Sequence, residues 1–169
     1  MKRIALIATL ILVSATPAFA HAGQGIASGF LHPFLGWDHL IAMLAVGAWG
    51  ATLGARAVWA VPLAFISAMI VGGLLGMSGI VLPFVETAIL ASVLVLGGLA
   101  VARVKIPVWS GMAIVGLFAL AHGFAHGAEM PVLANAWIYG AGFVTATSLI
   151  HALGAIAALA VMKMGAVRA

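Results

Sequence analysis

Two short stretches of the chain combine histidine with carboxylate side chains at spacings that suit metal binding. In one of them, His122, His126 and Glu129 occupy positions i, i+4 and i+7. On a helix these side chains fall within roughly 40° of one another, on one face. The other stretch runs from His32 to His39 and includes an aspartate. Because imidazole and carboxylate ligands suit Ni²⁺, Co²⁺ and Zn²⁺, we predict that the fold brings both stretches around one divalent cation.

The elements that must position these ligands are membrane-spanning helices. Hydrophobic residues make up 66% of the chain and charged residues only 6%, and the mean hydropathy is +1.30. Several apolar runs approach the ~20 residues needed to cross a bilayer, whereas a soluble domain needs far more polar surface. The predicted fold class is all-α, a polytopic membrane helix bundle.

The charge balance and the lack of cysteine exclude other classes. Lys and Arg number 7 against 3 Asp and Glu, with no cysteine. The cations flank apolar runs, which is typical of membrane orientation signals, and no basic patch with interleaved aromatic residues is present. Nucleic acid is therefore excluded as a partner, and so is a thiolate metal site.

Residues 1–20 are predicted to be a signal peptide. Lys2 and Arg3 form a positive start, residues 4–13 a short apolar run, and Ala18-Phe19-Ala20 a small-x-small cleavage site. An uncleaved first transmembrane helix is the alternative. Residues 21–169 are then predicted to form a single transmembrane helical domain.

About five mature transmembrane helices are predicted after the leader. The preceding residues 22–35 are too short to span and form an extracytoplasmic or re-entrant lead-in, in which Pro33 is expected to keep His32 out of the α region, on a turn. The last run, residues 133–162, is one helix, tilted or kinked near Gly140 and Gly142, or else two short ones. The other predicted spans are residues 36–54, 58–77, 84–102 and 108–127.

Glycines spaced four residues apart are predicted to mark close contacts between these helices. Small residues at this spacing let helix backbones approach, which drives helix packing in lipid. The predicted contact pairs are Gly50 with Gly54, Gly72 with Gly76, and Gly123 with Gly127.

Positive charges set the orientation of this bundle. With the mature N-terminus outside and the C-terminus in the cytoplasm, five spans place every cation after the leader on the cytoplasmic side, whereas splitting the last run would move its two cations outside. Every acidic residue and all histidines except His151, counting His21, then lie at or near the outer half. The positive residues that set this orientation are Arg56, Arg103, Lys105, Lys163 and Arg168.

Two further residues are candidates for a relay. His151 lies about midway along the fifth span, and Glu86 lies at the outer start of the third. Ionisable groups inside a membrane often mark a transport pathway. An interhelical hydrogen bond remains the alternative for His151, and simple solvation remains the alternative for Glu86.

The two ligand-rich stretches resemble the paired signatures of the HupE/UreJ family. The sequence from His32 to His39 resembles a His with five residues before Asp-His, and the sequence from His122 to Glu129 resembles His-Gly-x-x-His-Gly-x-Glu. The resemblance covers essentially the whole chain, although Ala121 stands where the family often has Phe. It implies a secondary permease for Ni²⁺, or Co²⁺, linked to hydrogenase or urease maturation. The site residues that it implies are His32, Asp38, His39, His122, His126 and Glu129.

Within this interpretation the ligands have separate expected roles. Asp38, His39, His122 and His126 would form the selective inner shell, while His32 and Glu129 would recruit the ion at the outer mouth. Glu86 and His151 would accept the ion or relay protons as it moves inward. Uptake should weaken below about pH 6.5, because histidine ligands must be neutral.

The expected partners are a divalent metal ion and the bilayer of the bacterial inner membrane, with no prosthetic group. Three alternatives stay open. One is an intramembrane metalloenzyme that uses the same cluster with Asp38 as a general base, another is a b-type cytochrome with paired histidines, and the third is a non-catalytic assembly partner of a hydrogenase or urease.

Overall fold

Helices make up every regular element that the structure describes. The structure is a computed structural model, and it describes residues 25–131 and 134–167. The predicted signal peptide and His21 lie outside these residues. The all-α fold class is confirmed. The elements are α1 (Ile26–Leu31), a 3₁₀ turn (His32–Phe34), α2 (Trp37–Leu53), α3 (Ala57–Met77), α4 (Val85–Val101), α5 (Val108–Ala128) and α6 (Ala136–Val167).

The five long helices coincide with the five predicted spans, but they differ in length. Helices α3, α5 and α6 are long and apolar enough to cross a membrane, and the bent pair of α1 and α2 is a fourth candidate. Helix α4, with 17 residues, is about 25 Å long at ~1.5 Å per residue, at the lower end of the spanning range. Three or four spans are thus established by length and composition, and five remains a prediction.

The last helix is continuous. Helix α6 has 32 residues, from Ala136 to Val167, so the alternative of two short helices is wrong for this run. Asn135 caps its start, because its Oδ1 accepts hydrogen bonds from the backbone N–H groups of Trp137 at 3.0 Å and Ile138 at 3.2 Å. An Asn at this position supplies the acceptor that the free N–H groups of the first turn need.

The lead-in before the first long helix is folded. Helix α1 and the 3₁₀ turn meet α2 at an angle of 85°. His32 has φ −55° and ψ −45°, inside the α region, so the expectation that Pro33 would exclude this region is wrong. Pro33 lies in the first turn of the 3₁₀ helix, where its missing N–H costs no hydrogen bond. His32 nevertheless lies on a turn just before a helix, as predicted.

Helices α3 and α5 pack closely through glycines. Gly72 lies against the backbone carbonyl of Leu120, and Gly76 lies against that of Phe124, so closely that a Cβ would overlap these oxygens. Both contacts advance by four residues, so the two helices are parallel. Small residues four apart allow this approach in lipid, as the sequence predicted. The matching glycines of α5 are Gly123 and Gly127.

A second glycine contact joins α2 to α6. Gly47 lies against the carbonyl of His151, and Gly154 lies against a carbonyl of α2. The predicted contact pair of Gly50 and Gly54 is wrong in part, because Gly54 ends α2 at φ +123° and a Cβ placed on it would meet no atom within 4 Å. That backbone conformation favours glycine, and it explains Gly54 better than helix packing does.

Large apolar side chains cover the outside of the bundle. Trp59 and Trp109 are each 73% exposed, and Leu94 is 72% exposed. Soluble monomers rarely expose wide apolar surfaces. This surface, together with the long apolar helices, identifies the chain as a membrane protein.

Candidate metal site

The two ligand-rich stretches meet at one end of the bundle. The ring centroids of His39 and His126 are 4.3 Å apart, and those of His39 and His122 are 4.8 Å apart. The ring of His32 adds a third contact, 4.9 Å from that of His126. Four imidazoles from the 3₁₀ turn, α2 and α5 thus form one cluster, which we call the histidine cluster.

Asp38 orients one of these rings. Its Oδ1 lies 2.8 Å from Nδ1 of His39 and accepts the backbone N–H of His39, also at 2.8 Å. Because a carboxylate only accepts, Nδ1 of His39 carries a proton, and in the neutral ring, the form that binds metal, Nε2 carries a free lone pair. That Nε2 is buried, with no hydrogen-bond partner among the described residues. A carboxylate behind a histidine in this way is typical of metal sites, where it fixes the tautomer and the ring orientation.

The outer side of the cluster offers three ligands to one ion. Nε2 of His32 lies 3.5 Å from Oε2 of Glu129, and one ligand atom each of His32, His126 and Glu129 lie within 4.8 Å of one another. Exposure falls from 59% for the Glu129 side chain to 24% for that of His32, and His126 is only 7% exposed. These three residues therefore lead from solvent to the buried rings.

The imidazole of His32, in the lead-in before the first long helix, is available for coordination at neutral pH. Burial lowers the pKa of His32, and the neighbouring carboxylate of Glu129 opposes this shift without reversing it. The ring is thus neutral at pH 7, as a metal ligand must be.

His126 lies at the centre of the cluster. Its ring contacts those of His32 and His39, and also that of Phe143 at 4.4 Å. Neither of its ring nitrogens has a hydrogen-bond partner in the part of the chain that the structure describes. Buried polar atoms are usually paired, so a buried imidazole with unpaired nitrogens beside other imidazoles fits a metal ligand.

Helix α4 contributes a contact that the sequence did not reveal. The hydroxyl of Ser92 lies 2.8 Å from Nε2 of His122, and Ser92 is fully buried. Its position in the middle of an apolar helix was the available signal, but which helix it faces depends on packing. Phe143, Tyr139 and Phe65 also line the cluster, and nothing in the sequence distinguished them from ordinary core residues.

His151 lies deeper than the cluster. The ring of Phe65 contacts both, with its centroid 5.7 Å from that of His122 and 5.1 Å from that of His151. His151 is 2% exposed, and both of its nitrogens lack partners within the described ranges, as does the hydroxyl of Thr147 one turn earlier. The structure thus connects His151 to the histidine cluster through contacts with one aromatic ring, that of Phe65.

Glu86 lies at the same end of the bundle as Glu129. It lines an open groove of about 350 Å³ together with Glu129, between the start of α4 and the end of α5. The structure does not bring Glu86 to His151 or to the buried rings. Two of the three acidic residues of the chain therefore share one groove, and one of them, Glu129, also contacts His32 of the histidine cluster.

A larger cleft of about 460 Å³ also reaches His126, between α3, α5 and α6. Its walls are mostly apolar and include Met69, Met77 and Trp137. Such walls offer no charge to a dication, so the polar approach to His126 runs past His32 and Glu129 instead.

The fold and the site define a polytopic helical membrane protein with a histidine and carboxylate cluster at one end of its bundle. The family described as "HupE / UreJ protein" matches residues 8–169. The chain is also 47% identical over 167 residues to Protein HupE of Rhizobium leguminosarum bv. viciae, a match that covers 95% of this chain and 87% of that protein. The chain belongs to the HupE/UreJ family, as the two motifs predicted. No solved structure gives a significant match.

Proposed function

We propose that this protein is a secondary permease that imports Ni²⁺, with Co²⁺ as the alternative cargo, across the bacterial cytoplasmic membrane. The observation that carries the proposal is the histidine cluster, in which Nε2 of His39, Nδ1 of His122 and both nitrogens of His126 lack partners among the described residues. Membership of the HupE/UreJ family supports the same function. Imidazole and carboxylate ligands suit Ni²⁺ and Co²⁺, and the chain has no cysteine for softer ions.

The order of burial supports a path for the ion. Glu86 and Glu129 line the outer groove and would raise the local concentration of cations. The ion would then pass from Glu129 and His32 to His126 and on to His39 and His122. A dication in a low-dielectric region needs compensating negative charge, which Glu129 supplies at the mouth and Asp38 supplies behind His39.

The inner half of the path is proposed to use His151. Phe65 contacts the rings of both His122 and His151, so an ion leaving the cluster must pass this side chain to reach His151. Each binding position along this path would hold the ion with few ligands, so that the ion could move to the next position. The same step could carry a proton, since a neutral imidazole can accept one.

The proposed orientation places the cluster outside. The described cations after the leader lie at the other end of the long helices, either in the α2–α3 and α4–α5 connections or near the end of α6. Positive residues favour the cytoplasmic side. The imported ion would serve hydrogenase or urease maturation, and none of the site residues would have a catalytic role. The positive residues at that other end of the helices are Arg56, Arg103, Lys105 and Lys163.

Uptake of radioactive nickel by cells that lack other nickel importers tests this function. Cells producing the protein should accumulate nickel, excess Co²⁺ should compete for this uptake, and His39→Ala or His126→Ala should abolish accumulation at equal membrane abundance. Thr145→Ala is the matched control, because this exposed hydroxyl only bonds the carbonyl of Ala141 in its own helix. Accumulation that survives both histidine replacements would reject the proposal. Metal that stays through purification and resists exchange would favour the metalloenzyme alternative.

A further inference from the structure

The hydroxyl of Ser92 makes two short contacts in the interior of the bundle. Its Oγ lies 2.6 Å from the backbone carbonyl oxygen of Ile89 and 2.8 Å from Nε2 of His122. Ser92 and His122 are both fully buried. Both distances are in the range of good hydrogen bonds.

Counting protons fixes the direction of these bonds. A serine hydroxyl has one proton to donate, and a carbonyl oxygen can only accept. The contact with Ile89 therefore uses the proton of Ser92, and Nε2 of His122 must donate its own proton to Oγ. The reverse arrangement would leave two oxygens 2.6 Å apart with no proton between them.

This assignment determines the chemistry of the other ring nitrogen. A neutral imidazole carries one proton, so Nδ1 of His122 has a free lone pair. Nδ1 is buried and has no hydrogen-bond partner among residues 25–131 and 134–167. The ring of His122 stands edge-on to that of His39, with centroids 4.8 Å apart and 88° between the planes, so this unpaired nitrogen belongs to one of the rings of the histidine cluster.

We propose that Ser92 is a positioning residue that holds His122 in the Nε2–H tautomer and so presents Nδ1 to the divalent cation. Asp38 likewise holds His39 in one tautomer, but there Nδ1 carries the proton and Nε2 is the nitrogen left for the cation. This inference rests on the proposed function for its metal-directed part. It gives α4 a part in the site although this helix contributes no ligand to the histidine cluster. Partners of this kind typically change metal affinity about 10–100-fold when removed.

Nuclear magnetic resonance of the imidazole nitrogens tests the tautomer without metal. The solubilised protein is labelled with ¹⁵N in its histidine rings, two-bond ¹H–¹⁵N correlations report which nitrogen is protonated, and His122→Gln assigns the signal. The wild type should show His122 as Nε2–H. Ser92→Ala should lose this single state, and Ser92→Thr, which keeps the hydroxyl, should restore it.

Nickel affinity of the same samples tests the consequence. Ser92→Ala should weaken binding about 10–100-fold, whereas Ser148→Ala should leave both binding and spectrum unchanged. Ser148 is a matched control because it is exposed and bonds only the carbonyl of Val144 in its own helix.

Each failure has a distinct meaning. A wild-type His122 protonated at Nδ1 would overturn the inference even if Ser92→Ala does not fold. An unchanged tautomer and affinity in Ser92→Ala would overturn it as well. A wild type that shows the Nε2–H state but binds neither Ni²⁺ nor Co²⁺ would reject the proposed function and the metal-directed role together, and would leave only the tautomer assignment.

Discussion

Asp38 and His39 form a hydrogen-bonded pair in the first turn of α2, with 2.8 Å between Oδ1 and Nδ1. The pair leaves Nε2 of His39 on the side of the ring away from the carboxylate, buried and without a hydrogen-bond partner among the described residues. Asp38→Ala should therefore weaken nickel binding about 10–100-fold, because the ring loses both its tautomer and its orientation. Asp38→Asn, which keeps an acceptor but no charge, should fall in between. Titration calorimetry on the solubilised protein measures this, and wild-type affinity in Asp38→Ala would contradict the orienting role.

Gly36 leaves room for this pair. A Cβ at Gly36 would stand 3.0 Å from Oδ1 of Asp38 and 3.0 Å from Nδ1 of His39, while Gly97 in α4 has open space around it. Gly36→Ala should displace the pair and weaken nickel binding about tenfold, at the lower end of effects on groups behind a ligand. Gly97→Ala is the control and should bind as the wild type does. Equal affinity of the two variants would show that the space beside the pair is unimportant.

The contact between α3 and α5 should govern stability. Gly72→Ala places a methyl group against the carbonyl of Leu120, and overpacking of this kind costs about 1–3 kcal/mol. The gain in helix propensity, about 1 kcal/mol, does not offset a clash with backbone. Gly116→Ala is the control on α5, since its Cβ would meet only the side chain of Ala68, at 3.8 Å. Thermal unfolding in detergent should show a lower Tm for Gly72→Ala alone, and equal values would argue against this packing.

His151 should matter for movement of the ion more than for its capture. Its ring contacts Phe65, whose ring in turn contacts His122; since His151 is thus connected to the cluster through an aromatic neighbour, His151→Ala should leave equilibrium nickel binding within about twofold of wild type. The same replacement should slow nickel uptake at least tenfold, because the ion loses the binding position that His151 supplies on the inner half of its path. Parallel binding and uptake measurements decide this. Binding that falls as far as in His126→Ala would place His151 in the outer site instead.

Much of this fold follows from local features of the sequence. The long apolar runs predict the helices, since only such segments can cross lipid with every backbone group bonded. The i, i+4, i+7 spacing places His122, His126 and Glu129 together before any tertiary structure is known. The glycines of α3 and α5 likewise show their contact through spacing alone.

The remaining features depend on how the helices pack. Ser92 is one polar residue in an apolar helix, and only the placement of α4 beside α5 makes it a partner of His122. Asp38 was predicted to be a metal ligand, whereas in the structure its carboxylate bonds Nδ1 of His39 and orients that ring. Which of the two roles it takes depends on side-chain rotamers. Pro33 was misleading because its preference against a preceding α conformation is modest, and a tight 3₁₀ turn accommodates it.

X-ray absorption at the nickel edge of the loaded, solubilised protein tests most directly whether both motifs bind the same ion. We predict a nitrogen and oxygen shell with imidazole scattering that decreases in His39→Ala, from the first motif, and also in His126→Ala, from the second. A shell without imidazole, or one that responds to replacements in only one of the two motifs, would contradict the account.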